Sequence, residues 1–302
     1  MRFTVSAPAS SANLGPGFDA LGLALSLWNT VTIDTSGLAG RVTTTGTEAA
    51  VLEGRENLSL TAMETLASAH GKSLPPFAMN AEVNIPVARG LGSSASALVA
   101  GLVAANLLLD LGLSDDDLYE VAWEMEGHGD NVGAALYGGA VLAVPEHRGA
   151  VRLLTERRIP LAAAVFIPES TAATVTARAA LPEAIPLRDA AHNLATTAGL
   201  AIGLMSGNAE LIGHGMHDRL HEPYRAAMFP HLRPMAEAAR NAGALGAALS
   251  GAGPTVLALT LHEHSASVAE ALEGVAAGLG IPGKTMVLLP VHDGYAVSDD
   301  TV

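Results

Sequence analysis

Apolar and polar positions along the chain follow two different periods. Short runs rich in Val, Ile, Leu and Thr, bounded by Gly, Pro or Asn, are typical of β-strands. Longer runs with apolar residues three and four positions apart are typical of helices. Strands are predicted at 3–7, 28–34, 41–45, 79–85, 140–144, 161–167, 244–249, 255–261 and 285–290. Helices are predicted at 57–70, 93–109, 114–126, 190–205, 230–242 and 265–278.

The interleaving of short strands and helices predicts an α+β fold with two layers in each half of the chain. A length of 302 residues favours about two domains. A polar segment rich in Arg and Glu, at 145–160, is the best candidate for the connection between them. The predicted domains are therefore residues 1–157 and residues 158–302.

The charge balance narrows the range of partners. The chain has 16 Lys and Arg against 30 Asp and Glu, which gives a formal charge of −14. Nucleic acids and anionic membrane surfaces would repel such a protein, so neither is an expected partner. The only lysines are Lys72 and Lys284, and neither lies in a glycine-rich segment. A bound phosphate would have to be met by backbone N–H groups, arginine or a metal ion.

Two further features concern chemistry and location. There is no cysteine, which excludes disulfides, thiolate catalysis and cysteine-ligated zinc. The first residues lack the apolar stretch of a signal peptide. The most apolar run, 95–113, is interrupted by Asn106 and Asp110 and is interpreted as a buried helix rather than a membrane span. A cytoplasmic location is therefore expected.

The most informative segment is a glycine- and serine-rich loop that precedes the apolar helix. Residues 86–95 read Pro-Val-Ala-Arg-Gly-Leu-Gly-Ser-Ser-Ala. Gly90 and Gly92 allow a sharp turn with uncovered N–H groups, and the helix directs the positive end of its dipole at the loop. This pattern predicts a cradle for an oxyanion, such as the phosphates of a nucleotide. It is not a Walker A loop, because that spacing and its lysine are absent. The predicted phosphate-binding residues are Pro86, Val87, Ala88, Arg89, Gly90, Leu91, Gly92, Ser93, Ser94, Ala95 and Ser96.

Two more glycine-bearing segments lie towards the two ends of the chain. Residues 6–22 read Ser-Ala-Pro-Ala-Ser-Ser-Ala-Asn-Leu-Gly-Pro-Gly-Phe-Asp-Ala-Leu-Gly, and residues 246–254 read Gly-Ala-Ala-Leu-Ser-Gly-Ala-Gly-Pro. Each alone is explained equally well as a loop beside a strand. With the central loop, and in this order, they resemble the three-motif layout of the GHMP small-molecule kinases across nearly the whole chain.

Within that superfamily the resemblance is closest to the homoserine kinase family. The segment 8–19 is similar to that family's substrate segment almost without change, and 126–131, Glu-Gly-His-Gly-Asp-Asn, resembles its E-G-H-P-D-N motif. Gly129 replaces the usual proline, and Gly-Ala-Ala at 133–135 stands where Ala-Pro is common. These departures predict a looser loop with the same polar side chains. Residues 174–182 and 218–225 are similar to the motifs T-x-x-x-R-x-x-L-P and D-x-x-H-E-P-x-R.

The resemblance implies a fold and an activity. The implied fold is an N-terminal domain like ribosomal protein S5 domain 2, followed by a ferredoxin-like C-terminal α+β domain, with ATP in the cleft between them. The implied reaction is the ATP-dependent phosphorylation of the side-chain hydroxyl of L-homoserine, a step of threonine biosynthesis. Homodimers are common in the family, so a homodimer is a possible assembly.

Roles for individual residues are expected from the same resemblance. Ser94 and Glu126 are the expected ligands of Mg²⁺, which prefers oxygen donors. Arg178 and Arg225 suit the carboxylate of an amino acid, since a guanidinium binds a carboxylate through two parallel hydrogen bonds. The expected catalytic residues are Glu126, Asp130, Asn13 and Arg225. The expected substrate-binding residues are Asn13, Asp19, His128, Asn131, Thr174, Arg178, Arg225, Gly251 and Gly253.

Two alternatives differ in what the cleft would do. One is another GHMP kinase acting on a different small alcohol; mevalonate and galactose lack the ammonium group that Asn13 and Asp19 would receive. The other is a catalytically silent relative that senses a ligand, for which a damaged phosphate loop is expected. Gly90, Gly92 and Glu126 are all present, which disfavours the sensor. No motif lysine is present, so a general base of the Asp–Lys type is not expected.

Overall fold

The computed structural model describes residues 1–36, 40–154 and 159–299. The strands are β1 (Arg2–Asn13), β2 (Gly17–Asp34), β3 (Val42–Thr45), β4 (Ala78–Glu82), β5 (Ala140–Leu142), β6 (Val151–Arg152), β7 (Leu161–Pro168), β8 (Ala244–Leu249), β9 (Val256–Leu261), β10 (Gly283–Leu288) and β11 (Ala296–Asp299). The helices are α1 (Leu58–Ala69), α2 (Ser93–Leu108), α3 (Asp115–Glu126), α4 (Asp130–Tyr137), α5 (Thr174–Ala179), α6 (Leu187–Ser206), α7 (Ala209–Gly215), α8 (Glu222–Arg225), α9 (Leu232–Asn241) and α10 (Ser265–Leu279). Two short 3₁₀ turns occupy Ala49–Leu52 and His262–His264.

The first sheet has the order β11-β1-β2-β4-β3, with β5 on β2 and β6 on β5. β1 and β2 form a long antiparallel hairpin, and β3 and β4 are parallel. Helices α1, α2 and α4 cover one face of this sheet, and α2 is buried on most of its sides. Because α2 lies against β1, the loop that precedes α2 reaches the turn of the β1–β2 hairpin.

The second sheet is antiparallel with the order β10-β7-β9-β8. In chain order this is fourth, first, third and second, with α9 leading into the second strand and α10 between the last two, which is the ferredoxin-like arrangement. Helices α9 and α10 pack on one face around Phe166, Leu249 and Leu272. The other face shares one apolar cluster with the first sheet, in which Leu23 and Leu91 pack with Val165 and Leu257. The two halves are therefore held together by a common core.

Most predicted elements are present, and the largest difference lies in the first hairpin. The sequence predicts strands only at 3–7 and 28–34, whereas β1 and β2 extend through the Ser- and Gly-rich segment between them. Ser10 and Ser11 sit in this extension and are fully buried. Their hydroxyls bond to other parts of the protein, a tertiary effect that a local hydrophobic pattern does not contain. The predictions also missed α4, which follows a Gly-rich loop, and the short edge strand β11.

The two separate sheets are consistent with the predicted division into two structural units. The predicted boundary at 157/158 lies outside the described residues, so its position stays a prediction. The topology adds that the end of the described chain returns to the first sheet, because β11 pairs with β1. Within the described residues, none of the helices combines the length and the apolar character needed to span a lipid bilayer.

Candidate active site

The three glycine-bearing segments of the sequence meet at one cleft. Its volume is about 320 Å³, and it lies between the β1–β2 turn, the loop before α2, and the loop between β8 and β9. Most of the sequence-predicted site residues line it. These are Asn13, Asp19, Pro86, Val87, Ala88, Gly90, Leu91, Gly92, Ser93, Ser94, Glu126, His128, Asp130, Asn131, Thr174, Arg178, Arg225, Gly251 and Gly253.

The loop before α2 needs glycine at two positions for reasons of space. Gly90 and Gly92 both have positive φ angles, +80° and +67°. A Cβ atom on Gly90 would collide with the backbone oxygen of Ser250, and one on Gly92 would collide with the hydroxyl of Ser10. Gly92 is also the N-cap of α2 and offers no side chain to the first turn. The first N–H groups of this long helix are therefore free of a side-chain cap and can bind an anion.

Direct hydrogen bonds join this loop to the other two segments. The N–H of Ser10 donates to the carbonyl of Leu91 (3.1 Å). The hydroxyl of Ser250 lies 2.6 Å from the carbonyl oxygen of Gly90 and donates to it. The central loop is therefore bonded to the first segment on one side and to the third on the other.

The first and third segments are also bonded to each other. The Asn13 side-chain amide donates to the carbonyl of Gly251 (2.9 Å), and the N–H of Gly251 donates to the carbonyl of Ala12 (3.1 Å). Asn13 has a φ of 71°, which is uncommon for a residue other than glycine. The contact with Gly251 holds this strained residue and fixes the hairpin turn against the second sheet.

Ser94 and Glu126 face each other at the start of α2 and the end of α3. The Ser94 hydroxyl donates to the Glu126 carboxylate at 2.6 Å. A hydroxyl and a carboxylate are hard oxygen ligands of the kind that Mg²⁺ takes, usually with water and phosphate oxygens completing the shell. In the described part of the chain no three His, Cys, Asp or Glu side chains cluster as a metal site. The donor types of Ser94 and Glu126 are compatible with a magnesium ion that would take its remaining ligands from phosphate and water.

A second polar chain runs along the wall of the cleft at the start of α4. His128 Nδ1 lies 2.7 Å from Asp130 Oδ1, which also accepts the N–H of Asn131 (2.7 Å). The Asn131 side-chain oxygen in turn accepts the hydroxyl of Ser10 (2.8 Å). Burial works to lower the pKa of His128, but the hydrogen bond and the negative charge of Asp130 outweigh it and raise that pKa.

Arg178 and Asp19 are paired with each other across the cleft. The guanidinium donates two parallel hydrogen bonds to the carboxylate, of 2.8 and 2.7 Å, and the hydrogen bonds raise the pKa of Arg178. The sequence predicts separate roles for these two residues, as partners for a carboxylate and an ammonium. Each is a little more than one-third exposed, so a zwitterionic ligand can reach both.

Arg225 is almost fully buried, at 2% exposure. Its Nε donates to the carbonyl of Ala177 (3.1 Å), and its Nη1 donates to the carbonyl of Gly251 and to His221 Nδ1, both at 3.2 Å. His221 Nε2 lies 2.7 Å from the carbonyl oxygen of Gly15, so Nε2 carries the proton and Nδ1 is free to accept. Burial and the nearby Arg178 lower the pKa of Arg225.

An aromatic ring separates the two arginines. The Phe18 ring centroid lies 5.5 Å from the Arg178 guanidinium carbon and 5.6 Å from that of Arg225. A ring face attracts a cation within about 6 Å, so one phenyl group stabilises both charges. The result is a pair of guanidinium groups around one ring, with the Asp19 carboxylate bonded to Arg178 and the charge of Asp130 close enough to raise the pKa of Arg178 as well.

Three predicted phosphate-loop residues lie outside the wall of the cleft. Ala95 is fully buried in the apolar core, and the Ser96 hydroxyl donates to the carbonyl of Ala7 at 2.8 Å, so both face away from the site. Arg89 pairs with Glu48 at 3.0 Å. Helical periodicity explains the first two, because side chains in the first turn of α2 point in different directions.

The far end of the cleft was not identified as part of the site by the sequence analysis. Its wall contains the apolar residues Leu52, Val83 and Val87 beside Asn57 and Ser59, and it includes the charged side chains of Arg55 and Glu56. An apolar end next to an anion-binding loop fits a nucleotide base beside its phosphates. These apolar residues come from separate parts of the chain and carry no local signal for this role.

The comparisons with known proteins agree with this geometry. The family model described as GHMP kinases N terminal domain matches residues 57–139, and the model described as GHMP kinases C terminal matches residues 200–277. The two-sheet fold, the loop at the start of α2 and these two matches define a GHMP kinase. Membership of this class implies the use of ATP.

Relatives narrow the class further. The chain is 43% identical to the homoserine kinase of Deinococcus radiodurans over 288 residues, covering 94% of this chain and 93% of that protein. It is 40% identical to the homoserine kinase of Desulfitobacterium hafniense, covering 97% and 99%. The chain belongs to the homoserine kinase family.

Solved structures give the same result. The crystal structure of homoserine kinase from Cytophaga hutchinsonii matches with a TM-score of 0.85 and 30% identity, over 98% of this chain and 97% of that one. A mevalonate kinase from L. major matches with a TM-score of 0.70 at 18% identity, over 94% and 95%, and supports the fold alone.

Proposed function

We propose that this protein transfers the γ-phosphoryl group of ATP to the side-chain hydroxyl of L-homoserine, giving O-phospho-L-homoserine and ADP. One observation carries the proposal: a subsite with two arginines and a carboxylate opens into the same cleft as an anion-binding helix terminus. The first suits a zwitterionic amino acid and the second suits the phosphates of a nucleotide.

The phosphates of ATP bind to the loop before α2. Phosphoryl transfer has a loose transition state, so catalysis depends on position and on neutralising negative charge. In this acidic protein no lysine reaches the cleft: Lys72 donates to the carbonyl of Leu109, and Lys284 lies exposed on β10. The N–H groups of Gly90, Leu91, Gly92 and Ser93 therefore bind the phosphate oxygens.

Ser94 and Glu126 hold a Mg²⁺ ion in this proposal. The ion would supply positive charge to the phosphate oxygens at the phosphate loop, which no lysine reaches. The 2.6 Å hydrogen bond between the hydroxyl and the carboxylate supports the assignment, because it places both oxygens side by side at the edge of the phosphate loop.

When the amino-acid substrate binds, its two charged groups replace Asp19 and Arg178 as each other's partners. Arg178 and Arg225 bind its carboxylate, while Asp19 binds its ammonium group. Each charge that loses its partner in the protein gains one in the ligand, so no charge is left uncompensated in the half-buried site. Asn13, Thr174 and Gly253 complete the walls and orient the side-chain hydroxyl towards the phosphate loop.

Asp130 is the candidate for assisting removal of the hydroxyl proton. It lines the cleft, is 1% exposed and is hydrogen-bonded to His128. Asp130→Asn tests that role, since an amide cannot take up the proton. Loss of most of the turnover supports it; retention of most of the turnover removes Asp130 as a base.

Neither alternative is favoured by a specific observation. A kinase for mevalonate or galactose has no use for an anionic partner such as Asp19, because these alcohols carry no ammonium group. A silent sensor would not require an intact phosphate loop with Ser94 and Glu126 in contact. The homodimer and the cytoplasmic location expected from the sequence stay predictions.

The experiment is ADP release from ATP, with and without Mg²⁺, using L-homoserine, D-homoserine, L-threonine, L-serine, mevalonate and galactose. The proposal predicts fast, metal-dependent release with L-homoserine and far slower release with the others. Faster release with another alcohol would keep the kinase class and reject the substrate. ATP binding without release in any mixture would favour the sensor.

A further inference from the structure

The β1–β2 turn receives an unusual set of hydrogen bonds from the second half of the protein. The Asn193 side-chain amide and the Thr197 hydroxyl, both on α6, donate to the carbonyl of Pro16 at 3.1 and 3.0 Å. His221 Nε2 bonds to the neighbouring carbonyl of Gly15 at 2.7 Å. Two adjacent carbonyls thus accept three side-chain donors from across the domain junction.

Asn193 also binds the segment that carries Arg225. Its side-chain NH₂ donates to Asp218 Oδ1 (2.7 Å), and its side-chain oxygen accepts the N–H of Arg219 (2.8 Å). Asp218 in turn accepts the backbone N–H groups of His221 and Glu222 at 2.9 and 2.7 Å, so it orders the start of α8. One buried amide therefore connects the hairpin turn to the segment that ends in Arg225.

We propose that Asn193 is a positioning residue for the amino-acid substrate, acting through the two groups that it joins. It holds the turn next to Asn13 and Asp19 at a fixed place relative to Arg225. Asn193 itself is 3% exposed and does not line the cleft. The inference rests on the proposed function, since it assigns the subsite to the amino acid.

The backbone of the turn explains why it needs such support. Asn13, Leu14 and Asp19 all have positive φ angles, of 71°, 48° and 56°. Residues other than glycine hold such conformations only where the surrounding structure imposes them. The donors on the Gly15 and Pro16 carbonyls lie between these strained positions and impose the conformation from outside the hairpin.

An amide is required at position 193 because one side chain must donate to Pro16 and Asp218 and also accept the N–H of Arg219. Asn193→Asp keeps the shape but replaces the NH₂ group with a second oxygen, which faces the Asp218 carboxylate and the Pro16 carbonyl. We expect a roughly tenfold to hundredfold rise in the KM for L-homoserine, the range expected when buried partners lose their donor. The KM for ATP should change by less than about threefold, because the phosphate loop does not contact Asn193.

A matched substitution controls for the general effect of an added carboxylate. Asn208→Asp changes the same residue type at the N-cap of α7, where the side chain accepts the N–H of Leu211 and Asp caps equally well. Its KM values and its melting temperature should stay at the wild-type values.

The pH profile separates positioning from general loss of structure. The charged and titratable groups around position 193 are Asp218 and His221 from the neighbouring segment, Arg219, and Asp189 on α6. Two carboxyl groups at hydrogen-bond distance share a proton, and the protonated one becomes a donor. Glu222, beside Asp218, and His128 in the cleft also titrate in this range, but they do so in both proteins. The ratio of the homoserine KM of Asn193→Asp to that of the wild type should therefore fall towards one as the pH is lowered from about 8 to about 5.5.

Thr197→Val provides a test that does not depend on the stability of the first variant. It removes one of the two donors to Pro16 and keeps the β-branched shape on α6. A homoserine KM raised by roughly threefold or more, with an unchanged ATP KM, supports the proposal. If either variant folds and binds L-homoserine as the wild type does, Asn193 is not a positioning residue. Failure of the wild type to phosphorylate L-homoserine would instead reject the proposed function.

Discussion

Arg225 carries a charge where little water reaches it. Its guanidinium is fixed by bonds to Ala177, Gly251 and His221 and by the face of Phe18. These contacts leave Nη2 without a hydrogen bond in the described structure, and Arg225 lines the cleft. A fixed guanidinium with one free donor group is suited to a carboxylate ligand rather than to a solvated phosphate.

Arg225→Lys tests this role at the residue scale. An ammonium group cannot reproduce the planar fork, so the KM for L-homoserine should rise by about tenfold or more, with little change in the KM for ATP. Steady-state kinetics with each substrate varied in turn give both values. Arg233→Lys on the exposed side of α9 is the control. Equal losses in both KM values would contradict a substrate-specific role.

Glu126→Gln tests the magnesium site. The amide keeps the size of the side chain and removes its negative charge, so turnover should fall by roughly two to three orders of magnitude. The melting temperature should stay within about two degrees, because Glu126 lies at the exposed end of α3. Glu124→Gln, two residues earlier on the exposed side of α3, should behave as the wild type. Near-normal Mg²⁺-dependent turnover in Glu126→Gln would rule out the metal role.

At the scale of single elements, α8 begins with a buried carboxyl group whose pKa is shifted. It is one turn long, begins at Glu222 and ends at Arg225. The Glu222 carboxyl accepts the N–H of Leu249 at 2.6 Å, and burial raises its pKa to about 8. The folded protein therefore binds a proton at Glu222 that the unfolded chain releases above its ordinary pKa of 4.5.

This difference fixes the sign of a pH effect on stability. Between about pH 4.5 and pH 8 the folded state holds more protons than the unfolded state, so the contribution of Glu222 to stability falls as the pH rises. Glu222→Gln cannot ionise and still offers an oxygen to Leu249. Its melting temperature should exceed that of the wild type by several degrees at pH 8 and converge with it near pH 5. Glu237→Gln on α9 is the exposed control. Parallel curves for Glu222→Gln and the wild type would contradict the assignment.

The sequence predicts elements well where their own residues determine them. The helix from Ser93 and its glycine loop follow from local pattern, and α3 begins within one residue of the predicted position, directly after its N-cap Ser114. The extension of β1 through Ser10 and Ser11 does not follow from local pattern, because their hydroxyls are buried only by contact with distant segments. The order of the three motifs predicted that they meet, but not which atoms touch.

Side-chain pairs across the cleft were the least predictable part. Asp19 and Arg178 are 159 positions apart in the chain. No local pattern indicates that they form an ion pair with each other when no substrate is bound. Gly90 and Gly92 were predicted as phosphate-loop glycines. Their tight contacts with Ser250 and Ser10 are visible only in the folded chain.

For the whole molecule, the return of β11 to the first sheet joins the end of the described chain to its start. β11 pairs with β1 at positions 3–6, whereas the active site lies beyond Ala12. At about 3.3 Å per residue, Ser6 and Ala12 are separated by roughly 20 Å along the strand. The edge strand β11 therefore stabilises the first sheet and does not contact the active site.

Deletion of the residues after Tyr295 tests this separation. Loss of the β1–β11 hydrogen bonds should lower the melting temperature by a few degrees, since all four β11 residues are exposed and little apolar surface is lost. The KM values for ATP and L-homoserine should stay within about twofold. Val297→Ala, which keeps the backbone bonds, is the control. A tenfold change in either KM would show that β11 acts on the site.

The most direct test of the central claim is ³¹P NMR of the wild-type protein with ATP, Mg²⁺ and L-homoserine. The amino-acid subsite and the phosphate loop share one cleft, so each ADP formed should be accompanied by one phosphomonoester whose phosphorus couples to the CH₂ group of the homoserine side chain. ADP with inorganic phosphate alone, and no phosphomonoester, would contradict the account, because it would mean that water and not the amino acid takes the phosphoryl group.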